Sequence, residues 1–382
     1  MPTLTKLPCE IVVAVLKELD FKSLATARLV CRYINSSFKQ CRGIEAAILR
    51  HHITPALLPY AAVIMEMSLL PKPCPYNQAR DLLDTHYNNP DQLVDRMGTM
   101  PWSTLQETIE MYDVIHEFSN AFAKRAWSRI NRGYPDTAPA DWVLSPDEHF
   151  RFCRAFYRVE LFYNLFHCGR SPAATPAFRD AVMGRFFPGH SPWENEQLGC
   201  VAVFLEESFA DRSLQIALEN LRYDGDIYNY VDAYRGSDYM QRWLSRGIKF
   251  LHKLVNSSRF DAENIMSGDG FVRRSVNFAL VLREVFRHNH DTTALRDCSE
   301  EALQSLIPDH INEDTDKGPH EAWRLAHIEF PRISWIMKKE NHWLRCRAYV
   351  LWDEDRMQNN DLFEMCTRRH PKPRLPPVLQ QL

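Results

Sequence analysis

The chain contains few glycines and no long apolar run. Of its 382 residues only 13 are glycine, whereas 21 are Phe, 14 are Tyr and 9 are Trp. Because glycine supplies the positive-φ positions of tight turns, this composition favours few tight turns and many bulky packing residues. The longest apolar stretch, residues 57–70, already contains Pro59 and Glu66. It is too short for a membrane span and predicts a buried helix.

A disulfide framework, a secretory signal and a dominant charge are also missing. The ten cysteines are scattered without a CxxC pair, which is typical of reduced thiols in an intracellular protein. The apolar run 11–16 is followed at once by Lys17 and Glu18, so it lacks a signal-peptide cleavage region. With 46 basic and 49 acidic residues, the net charge of -3 indicates neither nucleic acid nor membrane as a partner. We therefore expect a cytoplasmic and/or nuclear protein.

Catalytic and metal-binding motifs are absent from the sequence as well. It contains no GxSxG, no P-loop and no HExxH pattern. His167-Cys168 and the pair His288 and His290 have no further ligands at metal-binding spacing, so a structural or solvent-facing role is the default. The adjacent carboxylates of Glu206-Glu207 are typical of solvated charges on a helix surface rather than of an acid–base pair. We predict that the protein is not an enzyme and has no catalytic residue, cofactor or metal.

Helix-start patterns recur and predict an all-α fold. Ser145-Pro146-Asp147-Glu148 and Ser191-Pro192-Trp193-Glu194 are capping boxes with proline at the first helical position, and Thr104 with Glu107 forms a third. The first box is followed by apolar residues at helical spacing, and further aromatics over 150–166 widen them into a buried face. We expect an N-terminal helical module followed by a large irregular helical domain.

The first helix of that module is apolar on every side. Residues 11–16 are all apolar, and because successive helical residues lie ~100° apart, the run leaves no polar side. A second helix, with Ser23 as its N-cap, carries an apolar face that Leu29 and Val30 widen. A unit of roughly 40 residues cannot cover so much apolar surface by itself. Either the rest of the chain or a partner protein must cover one side.

The same residues resemble a known family. The pattern Leu7-Pro8-x-Glu10-Ile11, Val15-Leu16, Leu19, Leu24 and Arg28-Leu29-Val30-Cys31-Arg32 is similar to the F-box over residues 4 to about 45. The resemblance implies a three-helix module that docks by apolar contact on the Skp-type adaptor of a cullin–RING ubiquitin ligase. The positions that it assigns to adaptor contact are Leu7, Pro8, Ile11, Val15, Leu16, Leu19, Leu24, Val30 and Cys31. Two positions depart from the family: Ser23 replaces the usual Asp, and Ile34 stands where Trp is common.

Near the other end, Leu344-Arg345-x-x-x-Tyr349-Val350-x-Trp352-Asp353 resembles a closing segment common in fungal F-box-like proteins, which usually carry Trp-Gly where Arg347-Ala348 stands. We accordingly predict an adaptor-docking module (1–45), a substrate-recruiting helical domain (46–366) and a Pro-rich basic tail (367–382) that is disordered or extended. The function that the resemblance implies is recruitment of a protein substrate to a Skp–cullin–F-box ligase for ubiquitin-dependent degradation. The alternative is a non-catalytic helical scaffold whose N-terminal helices pack intramolecularly.

Overall fold

Helices make up the regular structure of the described chain. The computed structural model describes residues 7–41, 43–71, 74–130, 143–166, 184–220, 238–267, 278, 294–299, 301–302, 305, 316–329 and 341–367. These residues contain no strand, and the predicted all-α class is confirmed. Among them, no helix is both long enough and apolar enough to cross a membrane.

Two groups of predictions fall outside the described residues. They are the metal-ligand candidates His167-Cys168, His288 and His290, and the Pro-rich basic tail from residue 368 onward. Both stay predictions.

The N-terminal residues form three helices where the residue pattern alone indicated two. The helices are α1 (Cys9–Lys17), α2 (Phe21–Val30) and α3 (Arg32–Gln40). Cys31 is extended, with φ -156° and ψ 160°, and separates α2 from α3. The N-cap of α2 is Asp20 rather than Ser23: the Asp20 carboxylate accepts hydrogen bonds from the Ser23 amide at 2.8 Å and from its hydroxyl at 2.7 Å. These bonds, the amide one first, lower the pKa of Asp20.

Further helices complete the first compact unit, which spans residues 1–116. They are α4 (Ile44–His52), α5 (Leu58–Leu69), α6 (Tyr76–Asn88), α7 (Pro90–Met97) and α8 (Trp102–Ile130), of which α8 continues beyond the unit. The apolar stretch 57–70 forms the buried helix predicted for it, α5. The prediction of a third capping box, at Thr104 and Glu107, is wrong, because α8 begins at Trp102 and Thr104 lies inside its first turn. The boundary predicted at residue 45 lies within this unit.

The second compact unit spans residues 117–382 and contains two long helices that pack on each other, α9 (Pro146–Phe166) and α10 (Pro192–Asn220). The shorter helices that pack on α10 are α11 (Asp238–Leu244), α12 (Ile248–Asn256), α13 (Arg259–Ser267), α14 (Lys317–His327) and α15 (His342–Arg345). Two more, α16 (Glu354–Asn359) and α17 (Leu362–Thr367), pack on α14.

Both long helices begin with the predicted capping boxes. The Ser145 hydroxyl accepts a hydrogen bond from the Glu148 amide at 3.1 Å, and the Glu148 carboxylate accepts one from the Ser145 amide at 3.0 Å. The same reciprocal pair joins Ser191 and Glu194, at 3.3 Å and 2.9 Å. Each box satisfies two amides that the start of a helix leaves without an intrahelical partner.

Charged side chains lie inside the second unit. The aromatic face predicted over 150–166 is buried at Phe152, Phe156 and Phe162, and three arginines of α9 are buried with it: Arg151, Arg154 and Arg158. Arg154 pairs with the Glu194 carboxylate of α10 at 2.6 Å. Such pairing offsets part of the free-energy cost of removing both charges from water.

Glu206 and Glu207 are also buried, so the prediction that they are solvated charges is wrong. The Gln241 amide donates to Glu206 at 2.8 Å, and the Arg129 guanidinium donates to Glu207 at 2.8 Å. Partners from other helices replace the water that adjacent carboxylates on an isolated helix would require.

The closing segment, residues 344–353, lies in the core of the second unit. Tyr349 and Trp352 are fully buried, and the Trp352 ring meets the Phe152 ring edge-on, with centroids 5.2 Å apart. Ala348, where the resembling segments usually have glycine, has a φ of 54°, in the left-handed region. Glycine adopts this conformation without Cβ strain, so alanine here has a conformational cost.

Candidate protein-binding surface

Helix α1 has two apolar faces, and one of them is exposed. Val12 and Leu16 are 3% and 2% exposed, whereas Ile11 and Val15 are 49% and 45% exposed. Each pair has i, i+4 spacing and forms a ridge along one side of the helix. Pro8, which is also exposed, precedes α1, and its carbonyl accepts a hydrogen bond from the Ile11 amide at 3.1 Å. We call the exposed ridge of Pro8, Ile11 and Val15 the α1 face.

The covered ridge of α1 belongs to a core shared by the first four helices. The buried members of this core are Val12, Leu16, Leu24, Ile34, Phe38, Ile44 and Ile48. Ile44 and Ile48 come from α4, which packs directly on α1. The module therefore uses residues beyond the predicted boundary at 45 to close its core, as expected for a unit too small to bury its apolar surface alone.

Trp102, at the start of α8, packs against the same core. Its ring stacks on Phe21, with centroids 4.6 Å apart, and meets Phe38 edge-on at 6.2 Å. The Arg28 guanidinium lies 4.0 Å from the centroid of the Phe38 ring and 5.8 Å from that of Trp102. Aromatic and cation–π contacts of this kind stabilise beyond the area they bury. A tryptophan thus packs against the core, although Ile34 stands where the family often has one.

The end of α2 carries two strongly exposed apolar residues. Leu29 is 87% and Val30 is 66% exposed, so the two residues predicted to widen the apolar face of this helix do not pack against the core. The buried side of α2 is set by Leu24, and Leu29 lies five positions on, ~140° around the helix. Leu29 is therefore an exposed candidate contact residue that is not among the predicted ones. Its angle of ~140° from Leu24 around the helix is the signal that would have identified it.

The nine predicted contact residues fall into three groups. Exposed are Pro8, Ile11, Val15 and Val30. Half-buried against the core are Leu7, Leu19 and Cys31. Buried within it are Leu16 and Leu24. A partner can touch the first group directly, whereas the buried pair can act only by holding the helices that present it; contact with an adaptor stays a prediction for all nine.

The α1 face can bind a partner only by excluding water. Its side chains are a pyrrolidine and two branched aliphatic groups, which have no hydrogen-bonding atoms. Full burial of a large aliphatic side chain is favourable by about 1.5–3 kcal/mol. Exposed Glu10 and Glu18 lie near the two ends of α1 and give the apolar ridge a polar rim.

Comparison with known proteins assigns these residues to a family domain. A family model described as F-box-like matches residues 4–40, the stretch that contains α1, α2 and α3. The chain therefore carries an F-box-like domain, and the three helices that the resemblance implied are present. Neither a curated protein nor a solved structure matches the chain.

Proposed function

We propose that this chain is the substrate-recruiting F-box subunit of a Skp–cullin–F-box ubiquitin ligase and that its α1 face docks on the Skp-type adaptor. The observation that carries the proposal is the exposed ridge of Pro8, Ile11 and Val15 within the F-box-like domain. Domains of this family typically bind Skp-type adaptors. The covered ridge of the same helix packs into the module core, which supports docking because it holds the exposed ridge on a fixed element.

The rival function is a scaffold whose N-terminal helices pack entirely within the chain. The burial of Leu16 and Leu24 is what such a scaffold requires. A scaffold gives no reason, however, for Ile11 and Val15 to stay exposed beside them, whereas grouped exposed apolar residues are typical of binding sites. Adaptor docking accounts for both ridges of α1.

The double substitution Ile11→Asp with Val15→Asp should abolish adaptor binding. Two carboxylates would have to enter a water-poor interface at a cost of about 3 kcal/mol or more, so Kd should rise at least ~100-fold. The fold should survive, because these side chains are 49% and 45% exposed. Isothermal titration calorimetry of the full chain with a purified Skp-type adaptor measures the change.

Leu69→Asp is the matched control. Leu69 is 50% exposed on α5, in the same unit, and its replacement should leave Kd unchanged. Leu16→Asp is a poor probe, since Leu16 is 2% exposed and a carboxylate there would disrupt the core. Wild-type affinity in the Ile11/Val15 double variant, or a wild-type chain that does not bind the adaptor, would rule out docking through α1 and leave the scaffold.

In this proposal the helical region from 46 to 366 holds the protein substrate, and the chain performs no covalent step itself. Other subunits transfer ubiquitin, while this chain raises the effective concentration of substrate lysines near the charged enzyme. The proposal places the protein in the cytoplasm and/or nucleus and makes ubiquitin-dependent degradation the fate of the substrate. Proximity labelling with and without proteasome inhibition is the experiment that identifies that substrate.

A further inference from the structure

Three side chains of different ligand types meet in the second unit, outside the residues of the F-box-like domain. Glu207 lies on α10, His342 begins α15, and Cys346 directly follows α15. Cys346 Sγ lies 3.3 Å from Glu207 Oε1 and 3.6 Å from His342 Nε2, and one ligand atom of each residue lies within 4.8 Å of the other two. Carboxylate oxygen, imidazole nitrogen and thiolate sulfur are the ligand atoms that zinc uses in proteins.

The separations fit a tetrahedral zinc site. With Zn–S of about 2.3 Å and Zn–N or Zn–O of about 2.0–2.1 Å, tetrahedral angles place S about 3.5–3.6 Å from either N or O. The observed separations are 3.6 Å for Cys346 and His342 and 3.3 Å for Cys346 and Glu207. The ligand atoms of Glu207 and His342 also lie within 4.8 Å of each other.

Arginine side chains hold the carboxylate in the orientation that the site needs. Arg129 donates to Glu207 Oε2 at 2.8 Å and to the Cys346 carbonyl at 3.3 Å, and Arg125 lies 3.5 Å from the same Oε2. Glu207 is thus fixed by outer partners, as metal-binding carboxylates are.

We propose that Glu207, His342 and Cys346 bind one Zn²⁺ ion, with a water molecule as the fourth ligand. Binding releases the proton of the Cys346 thiol to solvent, and the resulting thiolate together with the Glu207 carboxylate balances the charge of the ion. The ion ties α10 to the closing segment, two parts of the chain whose ligands are 139 positions apart. The sequence spacing His342-x-x-x-Cys346 supplies two ligands on one helical turn, but periodicity gives no hint of the third.

A second histidine–cysteine pair in the same unit provides an internal comparison. His149 and Cys153 have the same spacing on α9, with Nε2 and Sγ 3.4 Å apart. Burial raises the pKa of the Cys153 thiol to about 12, although a hydrogen bond with Ser119 lowers it slightly. The described part of the chain brings no third His, Cys, Asp or Glu ligand to this pair within the same distance. This pair should therefore not bind zinc.

The test measures zinc and cobalt binding by the full chain. After removal of metal with a chelator and dialysis against zinc, mass spectrometry of the metal content should give one zinc per wild-type chain. Cobalt(II) in place of zinc should add an absorption band from the Cys346 thiolate. Cys346→Ser and His342→Gln should each weaken zinc binding at least tenfold and remove or weaken that band, whereas the control His149→Gln should bind as the wild type does.

The proposal fails if the dialysed wild-type chain retains no zinc, or if cobalt produces no thiolate band in it. Equal zinc binding by Cys346→Ser, His342→Gln and the wild type would also overturn it. Because the cobalt band is measured in the unaltered protein, misfolding of a variant cannot decide the outcome. Adaptor binding uses a different unit of the chain, so a failure of either proposal is distinguishable from a failure of the other.

Discussion

Gly247 precedes α12 with a φ of 95° and a ψ of 169°, a backbone conformation that residues with a Cβ rarely adopt. A Cβ at this position would lie 2.9 Å from Oε1 of Glu160. The close approach has a structural use, because Oε2 of Glu160 accepts a hydrogen bond from the Ile248 amide at 2.7 Å. That amide is one of those left without an intrahelical partner at the start of α12. At the residue scale, the absence of a side chain thus permits a long-range cap.

The substitution Gly247→Ala should lower the free energy of unfolding of the second unit by about 2 kcal/mol or more. Part of the loss is the strained backbone, at about 1–3 kcal/mol, and part is displacement of the Glu160 carboxylate from the Ile248 amide. Urea unfolding of the full chain measures the total, and faster hydrogen exchange at the first amides of α12 reports the lost cap.

Gly43→Ala is the matched control, because Gly43 also has a positive φ, 88°, but has nothing within 4 Å of its Cβ position. Gly43→Ala should lower the free energy of unfolding by only about 1 kcal/mol, which is the cost of the backbone conformation alone. Equal losses at both glycines would mean that the approach of Glu160 contributes nothing.

At the scale of elements, the F-box-like domain depends on a helix outside the matched residues 4–40. The ring of Trp102 from α8 stacks on Phe21 and meets Phe38 edge-on. Ile34, at the family's common Trp position, is itself buried in the core. An aliphatic residue at this position is therefore compatible with a packed module, because a second helix brings an aromatic ring to the core.

Replacing Trp102 with Ala should destabilise the module by about 2–3 kcal/mol, below the range for fully buried aromatics because Trp102 is half-buried. The substitution removes the stacking of the Trp102 ring on Phe21 and the second aromatic ring beside the Arg28 guanidinium. Hydrogen exchange should accelerate at the amides of α1, α2 and α3. Trp243→Ala, which removes a half-buried tryptophan stacked on Phe250 in the second unit, should leave exchange in those helices unchanged. Exchange at wild-type rates in the Trp102 variant would contradict this role.

At the scale of the whole molecule, the second unit maintains ion pairs in its interior. Arg345 and Glu196 are 1% and 0% exposed, lie 2.6 Å apart and are 149 positions apart in the chain. Removing one partner of such a pair leaves a buried charge without compensation, so the pairs restrict the unit to arrangements that keep distant segments together.

His190 lies in the same charged interior, with Nδ1 3.5 Å from Oε2 of Glu194. Burial, followed by the charge of Arg158, lowers the pKa of His190 to about 3, although Glu194 opposes this shift. At neutral pH the imidazole is therefore neutral, and the contact is not an ion pair. The pKa of Glu194 is itself held well below its usual value: burial raises it, but the charge of Arg154 and the contact with His190 outweigh burial.

Acidification should destabilise the second unit, and His190→Gln should reduce this effect. The unfolded chain protonates His190 below a pKa of about 6.5 whereas the folded chain keeps it neutral down to about 3, so the unfolded state binds more protons across that window. The stabilisation that comes from the lowered pKa of His190 is fully present above pH 6.5 and is lost progressively as the pH falls. Between pH 6.5 and 5, His190 alone should account for about 1.5 kcal/mol, measured by urea unfolding.

His51→Gln, which replaces an exposed histidine in the first unit, should leave the slope of stability against pH unchanged. Because the comparison is confined to the window between pH 6.5 and 5, most carboxylates do not titrate within it. A slope in His190→Gln as steep as that of the wild type would show that other groups carry the pH dependence.

The sequence by itself determined the features that depend on near neighbours in the chain. The capping boxes at Ser145 and Ser191 formed as predicted between groups only three residues apart, whereas the box predicted at Thr104 did not, because α8 already begins at Trp102. The F-box pattern was readable because its apolar spacing lies within a single stretch of 37 residues, 4–40. The recurring helix-start patterns likewise predicted the all-α class.

Only the tertiary structure decided which side chains are covered. Ile11 and Val12 are neighbours in one apolar run, yet one is 49% and the other 3% exposed. Of the nine predicted contact residues, Leu16 and Leu24 proved to lie in the core, and Glu207 proved to be buried against Arg129. The physical reason is that burial is set by segments far apart in the chain, as when Cys346 reaches Glu207 across 139 positions, and a periodicity read in a short window cannot specify that pairing.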